Sequence, residues 1–139
     1  MKDYVVYTDG AYSSARNCGG VGIIILKDDQ VILEYNRAYP NTTNNRMEIE
    51  AVITALKCIQ KEVNSFTIYT DSMYVIGCAV EGWQRKKNQD LWNKFDKIYE
   101  KANKLCPNII FKHVKGHDGN EYNERVDKLA VNAYLNYYE

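Results

Sequence analysis

Hydrophobic and polar positions divide the chain into nine predicted elements. Runs rich in Val, Ile and Tyr predict strands, and apolar positions three and four residues apart predict helices. The strands are expected at 4–9, 20–27, 31–39, 65–70 and 108–115, and the helices at about 44–63, 72–81, 90–105 and 123–138. The short polar link 27–30 predicts an antiparallel hairpin, whereas strand–helix alternation in the second half predicts parallel strands. The pattern predicts an α/β fold with a mixed five-stranded sheet flanked by helices.

Length and composition restrict the class of protein. The chain has 139 residues, 45% hydrophobic and 26% charged, which predicts one folded domain over 1–139 and excludes a disordered chain. No apolar run approaches the ~20 residues that cross a bilayer, so no membrane association is expected. The amino terminus enters a strand without a signal-peptide core, which favours a cytoplasmic location. A net charge of zero does not exclude nucleic acid, because acids and bases can occupy different surfaces.

Cysteine spacing gives no sign of a metal or disulfide framework. The chain has four cysteines, widely spaced and without a CxxC pair. This argues against a zinc site and against a disulfide scaffold.

Two predicted strands end in the same three residues, Tyr-Thr-Asp. Asp9 follows VVYT and Asp71 follows TIYT, and each is followed by a small residue. Binding residues gather at strand ends in sheets with parallel crossovers, so the pair is a candidate site. The alternatives are a turn residue at Asp9 and a helix cap at Asp71.

Two further acids lie on apolar helix faces. Glu48 lies one turn before Val52 on the apolar side of the first helix, whereas Glu50 is on its polar side. Asp127 lies on a semi-apolar face of the last helix. The alternatives are an ordinary first-turn acid at Glu48 and a solvated helix acid at Asp127.

The four acids can converge, because the helices that carry Glu48 and Asp127 pack on the sheet that carries Asp9 and Asp71. Such a cluster repels itself unless cations neutralise it. Carboxylate oxygens suit Mg²⁺, with Mn²⁺ as a substitute. Two such ions ~4 Å apart clamp the attacking and leaving oxygens of a phosphoryl displacement. The hypothesis is therefore a metal-dependent phosphodiesterase.

Four sequence blocks resemble the type 1 ribonuclease H family in order and spacing. They are YTDGA at 7–11, TTNNRMEIEA at 42–51, YTDS at 69–72 and HVKGHDGNEYNERVDKLA at 113–130. The resemblance implies a ribonuclease H-like fold whose first three strands are antiparallel. It also implies an endonuclease that cleaves the RNA strand of RNA–DNA hybrids and leaves 5′-phosphate and 3′-hydroxyl ends. Asp9, Glu48, Asp71 and Asp127 would be its metal-binding acids, with two Mg²⁺ ions as cofactors.

The resemblance assigns further residues. His117 matches a mobile histidine thought to shuttle protons or help product release. Asn44 and Asn45 match asparagines that contact the minor groove of the hybrid, with helix capping as the alternative. Thr43 and Arg46 are candidates for phosphate contacts. His113, in a predicted strand, is interpreted as a packed or satisfied structural histidine.

One departure from the family affects how a substrate is held. Many members carry a long basic protrusion after the second helix, whereas here a short link, 82–92, contains only Arg85, Lys86 and Lys87. The next helix has four lysines on one face, which either follow phosphates or form surface pairs such as Asp90–Lys94 and Glu100–Lys104. The surface-pair interpretation is favoured.

The expected partner is an RNA–DNA hybrid, bound by a monomer. Two other functions are rivals to hybrid cleavage. One is a binding module that recognises hybrids without cutting them, which the intact set of four acids disfavours. The other is a DNA nuclease of the same architecture, which TTNNRME and KGHDGN disfavour.

Overall fold

A computed structural model describes residues 2–115 and 119–137 of the chain. Within this part, no helix has the length and apolar composition needed to cross a bilayer. The described elements, in chain order, are β1 (Asp3–Ser13), β2 (Cys18–Lys27), β3 (Gln30–Pro40), α1 (Asn44–Lys57), β4 (Ser65–Thr70), α2 (Met73–Val80), α3 (Gln89–Leu105), β5 (Asn108–His113) and α4 (Glu121–Leu135).

The strands form one mixed sheet in the order β3-β2-β1-β4-β5. β1, β2 and β3 pair antiparallel, whereas β4 pairs parallel with both β1 and β5. Lys27 pairs with Gln30, and Asp28 and Asp29 between them have φ of 53° and 63°. Two central residues with positive φ are typical of the tight hairpin turn that matches strand twist. The predicted fold class is confirmed.

Helices cover both faces of the sheet. On one face, α1 packs on Val6, Ile23 and Ile25, and α3 packs beside α1, with its buried Trp92 in the same main core. On the other face, α4 packs through Val126 on Ile24 and its neighbours. Successive strand residues point to opposite faces, so the Ile-Ile-Ile run of β2 serves both cores.

The first helix ends six residues earlier than its apolar periodicity predicts. α1 stops at Lys57, although Ile59 and Val63 are both buried. The Val63 N–H donates to the carbonyl of Leu105, at the end of α3, at 3.0 Å. This bond to a distant segment replaces the next helical turn, so apolar spacing persists after the helix has ended.

The first strand is longer than predicted, and Asp9 does not end it. β1 continues to Ser13 because β2 pairs with it over its whole length, and Asp9 pairs with Gly22. The parallel partner β4 stops at Thr70. Asp9 therefore lies at the point where β1 loses its parallel neighbour.

Glycines let the helices approach the sheet at the site of the acids. A Cβ on Gly22 would lie 2.5 Å from the Val126 carbonyl oxygen of α4, and one on Gly10 would lie 2.4 Å from the Glu48 nitrogen of α1. Both contacts are with helix backbone, which cannot yield as a flexible side chain can. These positions thus hold α4 and α1 against the sheet.

We expect Gly22→Ala to destabilise the protein, because the added methyl group separates α4 from β2. Overpacking of this kind costs about 1–3 kcal/mol or more. The matched control is Gly82→Ala, where φ is +76° and nothing lies within 4 Å of the added atom. That change carries only left-handed strain of about 1 kcal/mol. Urea unfolding of both variants measures the difference, and equal losses would contradict the packing role of Gly22.

Candidate metal centre

The two Tyr-Thr-Asp segments lie side by side in the sheet. Tyr7 of β1 pairs with Tyr69 of β4, and the two rings stack with centroids 4.8 Å apart. The hydroxyl of Thr8 donates to the Tyr69 carbonyl oxygen at 3.2 Å. Because parallel strands keep their register, two residues further along Asp9 stands beside Asp71. The repetition in the sequence thus becomes a pair of neighbouring acids.

Glu48 joins this pair from the first turns of α1. It is 5% exposed, as is Asp9. The Gly10 N–H donates to Oδ1 of Asp9 at 3.0 Å and makes a short hydrogen bond to Oε1 of Glu48. A single backbone donor therefore holds two carboxylates. A side chain at residue 10 would collide with the backbone of α1 at Glu48 and push the two carboxylates apart.

All four predicted acids line one cleft of about 310 Å³, together with Asn44, Tyr12 and Tyr134. One oxygen from each of Asp9, Glu48 and Asp71 lies within 4.8 Å of the others. Asp127 approaches from α4 and contributes to the electrostatics of Asp9. Oxygen donors that meet from β1, α1, β4 and α4 form a set that hard divalent cations prefer.

Burial and mutual repulsion hold protons in this cluster. Burial raises the pKa of Asp9 to about 11, with further contributions from the charges of Glu48 and Asp71. Burial, followed by the charge of Asp71, raises the pKa of Glu48 to about 8. We therefore expect at least one of these two carboxyl groups to be protonated near neutral pH when no cation is bound. The carboxylates thus lack the positive charge that their burial demands, which fits a divalent cation.

Neither Asp71 nor Asn44 is the residue that caps its neighbouring helix. Ser72, not Asp71, caps α2 and accepts from the Val75 N–H. Thr43 caps α1 and accepts from the Arg46 N–H at 3.2 Å. The helix-cap alternatives for Asp71 and Asn44 are therefore wrong.

The other predicted binding residues have different surroundings. Asn44 and Asn45 are both exposed at the start of α1, and of the two only Asn44 lines the cleft. The guanidinium group of Arg46 binds both carboxylate oxygens of Asp90, at 3.0 and 2.8 Å, and also donates to Asn88. Arg46 thus ties α1 to the start of α3.

The two histidines differ from each other. His117 lies outside the described residues. His113 is exposed, and its Nε2 is 3.3 Å from the Asp71 carbonyl oxygen. The expectation of a packed His113 is wrong, because β5 is an edge strand and leaves this position in solvent, whereas its contact with the Asp71 carbonyl oxygen agrees with the alternative of a satisfied structural histidine.

Sequence reasoning missed several residues at the site. A second cavity of about 220 Å³ is lined by Asp71 and Asp127 with Asn123, Glu124 and Lys128. Asn123 is 4% exposed, and its amide oxygen has no hydrogen-bond partner among residues 2–115 and 119–137. Its position one helical turn before Asp127 could have indicated this. Nothing in the apolar pattern distinguishes Tyr12 or Tyr134 from core tyrosines.

Comparisons with known proteins give a consistent family. A family model described as RNase H matches residues 1–134. Ribonuclease HI of Synechocystis sp. is 40% identical, with 94% of this chain and 87% of that protein covered. Ribonuclease H of Trichodesmium erythraeum is 42% identical, with 94% and 88% covered.

Solved structures agree with these sequence matches. The crystal structure of LC11-RNase H1 in complex with an RNA/DNA hybrid has a TM-score of 0.80 at 26% identity, over 99% of this chain and 100% of that one. RNase H1 from Halobacterium salinarum, at 24% identity and a TM-score of 0.75 over 94% and 96% of the chains, supports the fold alone.

We expect the metal-free protein to lose stability as the pH rises from 5 to 8. The pKa values of Asp9 and Glu48 are raised to about 11 and about 8 from 3.8 and 4.5. The folded state therefore binds protons that the unfolded state releases, and this stabilisation disappears as pH rises through the folded values. Thermal unfolding in EDTA at both pH values measures the effect, and added Mg²⁺ should reduce it.

The double variant Asp9→Asn with Glu48→Gln is the control. It removes both titrating groups with little change of shape, so its unfolding temperature should depend less on pH than that of the parent. The same pH dependence in both proteins would contradict the assignment of buried, proton-holding carboxylates.

Proposed function

Because the chain belongs to the RNase H family and is an enzyme of the ribonuclease H type, we propose that it hydrolyses the RNA strand of RNA–DNA hybrids. The proposed reaction uses two metal ions and leaves 5′-phosphate and 3′-hydroxyl ends. The convergence of Asp9, Glu48 and Asp71 oxygens within 4.8 Å is the observation that carries this proposal. The hybrid bound by LC11-RNase H1 supports the choice of substrate.

Asp9, Glu48, Asp71 and Asp127 would hold the cations, with Mg²⁺ as the proposed ion and Mn²⁺ as a substitute. The donor set fits, since it consists of carboxylate oxygens, two of them on the buried Asp9 and Glu48, and none of the four acids makes an ion pair within the described residues. Divalent ions at such a site supply Lewis-acid stabilisation of the phosphate and lower the pKa of bound water.

A backbone hydrogen-bond donor holds two of the carboxylates in position for cation binding. The Gly10 N–H fixes the orientations of Asp9 and Glu48 together. Asp71 follows the end of β4 and is free of a capping role. Rigid placement of the ligands on β1, α1, β4 and α4 reduces the reorganisation needed when substrate arrives.

Among the described residues, Asn44 is the best placed to contact the 2′-hydroxyl of the RNA strand. Its amide lies in the cleft wall beside the acids and has both donor and acceptor atoms. The 2′-hydroxyl distinguishes RNA from DNA and can bond either atom. Contacts from Asn45, Thr43 and Arg46 stay predictions, and the last two also hold the start of α1 in place.

His117 is proposed as the proton carrier or product-release residue on the grounds of its sequence position alone. It precedes Asp127 by ten residues and lies between glycine-containing segments. An imidazole titrates near neutral pH, which suits proton transfer. A single catalytic domain over 1–139, acting as a monomer, completes the proposal.

Asp9→Asn should abolish hybrid cleavage while the fold is kept, because it removes a ligand charge with almost no change of shape. We expect a loss of more than about 100-fold, since even outer-shell changes at metal sites cost 10–100-fold. The matched control is Asp3→Asn, at the exposed start of the same strand. Cleavage of labelled hybrid in Mg²⁺ and in Mn²⁺ is the measurement, and wild-type activity of the Asp9 variant would reject the metal assignment.

Asn44→Ala should raise KM for the hybrid by about 3- to 10-fold, the effect of losing roughly one hydrogen bond. Duplex DNA and duplex RNA are measured beside the hybrid under one condition. Asn93→Ala, at an exposed position of α3, serves as the control. An unchanged preference for hybrid in the Asn44 variant would exclude a sugar-reading role.

A further inference from the structure

Four exposed lysines form a stripe along α3, at positions 94, 97, 101 and 104. At about 100° per residue they lie within roughly 80° of one another around the helix. The stripe is about 15 Å long at 1.5 Å per residue. We call it the lysine stripe.

Two of the three acids of α3, Asp90 and Asp96, are bound by arginines. Asp90 is bound by Arg46 from α1, and Asp96 is bound at 2.8 Å by Arg85 from the preceding link. The expected Asp90–Lys94 pair is therefore wrong, because a bidentate guanidinium outcompetes a single ammonium for the same carboxylate.

Lysines make none of the ion pairs found in residues 2–115 and 119–137. All three use arginine, the third being Arg125–Glu34. Glu100 makes no ion pair with Lys104 in this part of the chain either. The positive charge of the stripe is thus left for a partner outside the protein.

A further cation extends the charged surface onto α1. Burial lowers the pKa of Lys57, and the neighbouring charge of Lys94 lowers it further. Lys57 and Lys101 line a groove between α1 and α3 of about 490 Å³. A bound anion would relieve the repulsion between these neighbouring ammonium groups.

The Arg46–Asp90 pair links the start of α3, where the stripe begins, to the start of α1, which carries Glu48. Arg46 lies two residues before Glu48, and Asp90 lies one turn before Lys94. Lys57 follows Glu48 by nine residues, which is about 14 Å along the axis of α1 and about 180° around it, so the two side chains lie on opposite faces of the helix. One strand of a duplex has a phosphate for every 3.4 Å of axis, so the axial separation alone equals about four base pairs.

We propose that the lysine stripe and Lys57 bind phosphates of the substrate duplex outside the cleft, in place of a long basic protrusion. This inference rests on the proposed hydrolysis of hybrids. Arg85, in the short link, does not replace that protrusion. Its guanidinium is held by Asp96 and by the Cys78 carbonyl oxygen, and lies 4.7 Å from the ring centre of Trp92.

The test is the triple variant Lys94→Ala, Lys97→Ala and Lys101→Ala on a hybrid of about 18 base pairs. Each phosphate contact contributes about 0.7–0.9 to the slope of log affinity against log salt. We expect KM to rise at low salt, the salt slope to fall by one to three, and kcat at saturating hybrid to stay unchanged. Replacing the same lysines by arginine should restore KM.

Two controls test whether a change in KM comes from the lysine stripe or from any loss of positive charge. The first is Lys2→Ala with Lys27→Ala, at the opposite end of β1, which should leave KM unchanged. The second is a hybrid whose duplex ends within about four base pairs of the cut on either side, on which the triple variant and parent should agree.

Equal KM and equal salt slope for parent and triple variant on the long hybrid would overturn the inference. A parent that cleaves no hybrid in Mg²⁺ or Mn²⁺ would instead reject the proposed function, which is a separate result. Fluorescence anisotropy of the same hybrids in EDTA measures binding independently of cleavage. A triple variant that binds as tightly as the parent in that assay also excludes the surface.

Discussion

Repulsion among buried carboxylates is the constraint on which this structure depends. Asp9 and Glu48 are almost inaccessible to solvent, yet each faces at least one other acid. Burying an uncompensated charge is costly, and apolar packing cannot remove that cost. The Gly10 N–H donates to both groups, and burial raises the pKa of each, which favours the neutral form when no cation is bound. A cation that replaces the proton would neutralise the carboxylates and supply the proposed metal-dependent chemistry.

The surrounding fold is arranged to bring the acids into contact. Parallel register between β1 and β4 aligns the repeated segments, and glycine at positions 10 and 22 lets two helix backbones approach the sheet. Arginine side chains then fix the outer elements, with Arg46 linking α1 to α3. The ion pairs also decide which charges remain available, because acids bound by arginine cannot neutralise nearby lysines.

Errors in the sequence-based expectations have a common physical origin. The apolar spacing of α1 continues past its end because Ile59 and Val63 stay buried after the helix stops. Asp9 was expected at a strand end, but pairing with β2 carries β1 onward. Asp90 was expected to pair with Lys94 on its own helix, whereas a guanidinium from α1 reaches it first. In each case a contact with a distant segment decided the outcome.

By itself the sequence determined the order of the elements, the mixed sheet, the four acids and the family, because side-chain periodicity and motif spacing are local properties. Only the tertiary structure decided that one oxygen of Asp9 and one of Asp71 lie within 4.8 Å of each other, that the buried Asn123 lines a cavity with Asp71 and Asp127, and that no lysine makes an ion pair within residues 2–115 and 119–137. These features depend on distances between residues far apart in the chain. Such distances are set by packing and by competition between partners, and neither is written in any short stretch of sequence.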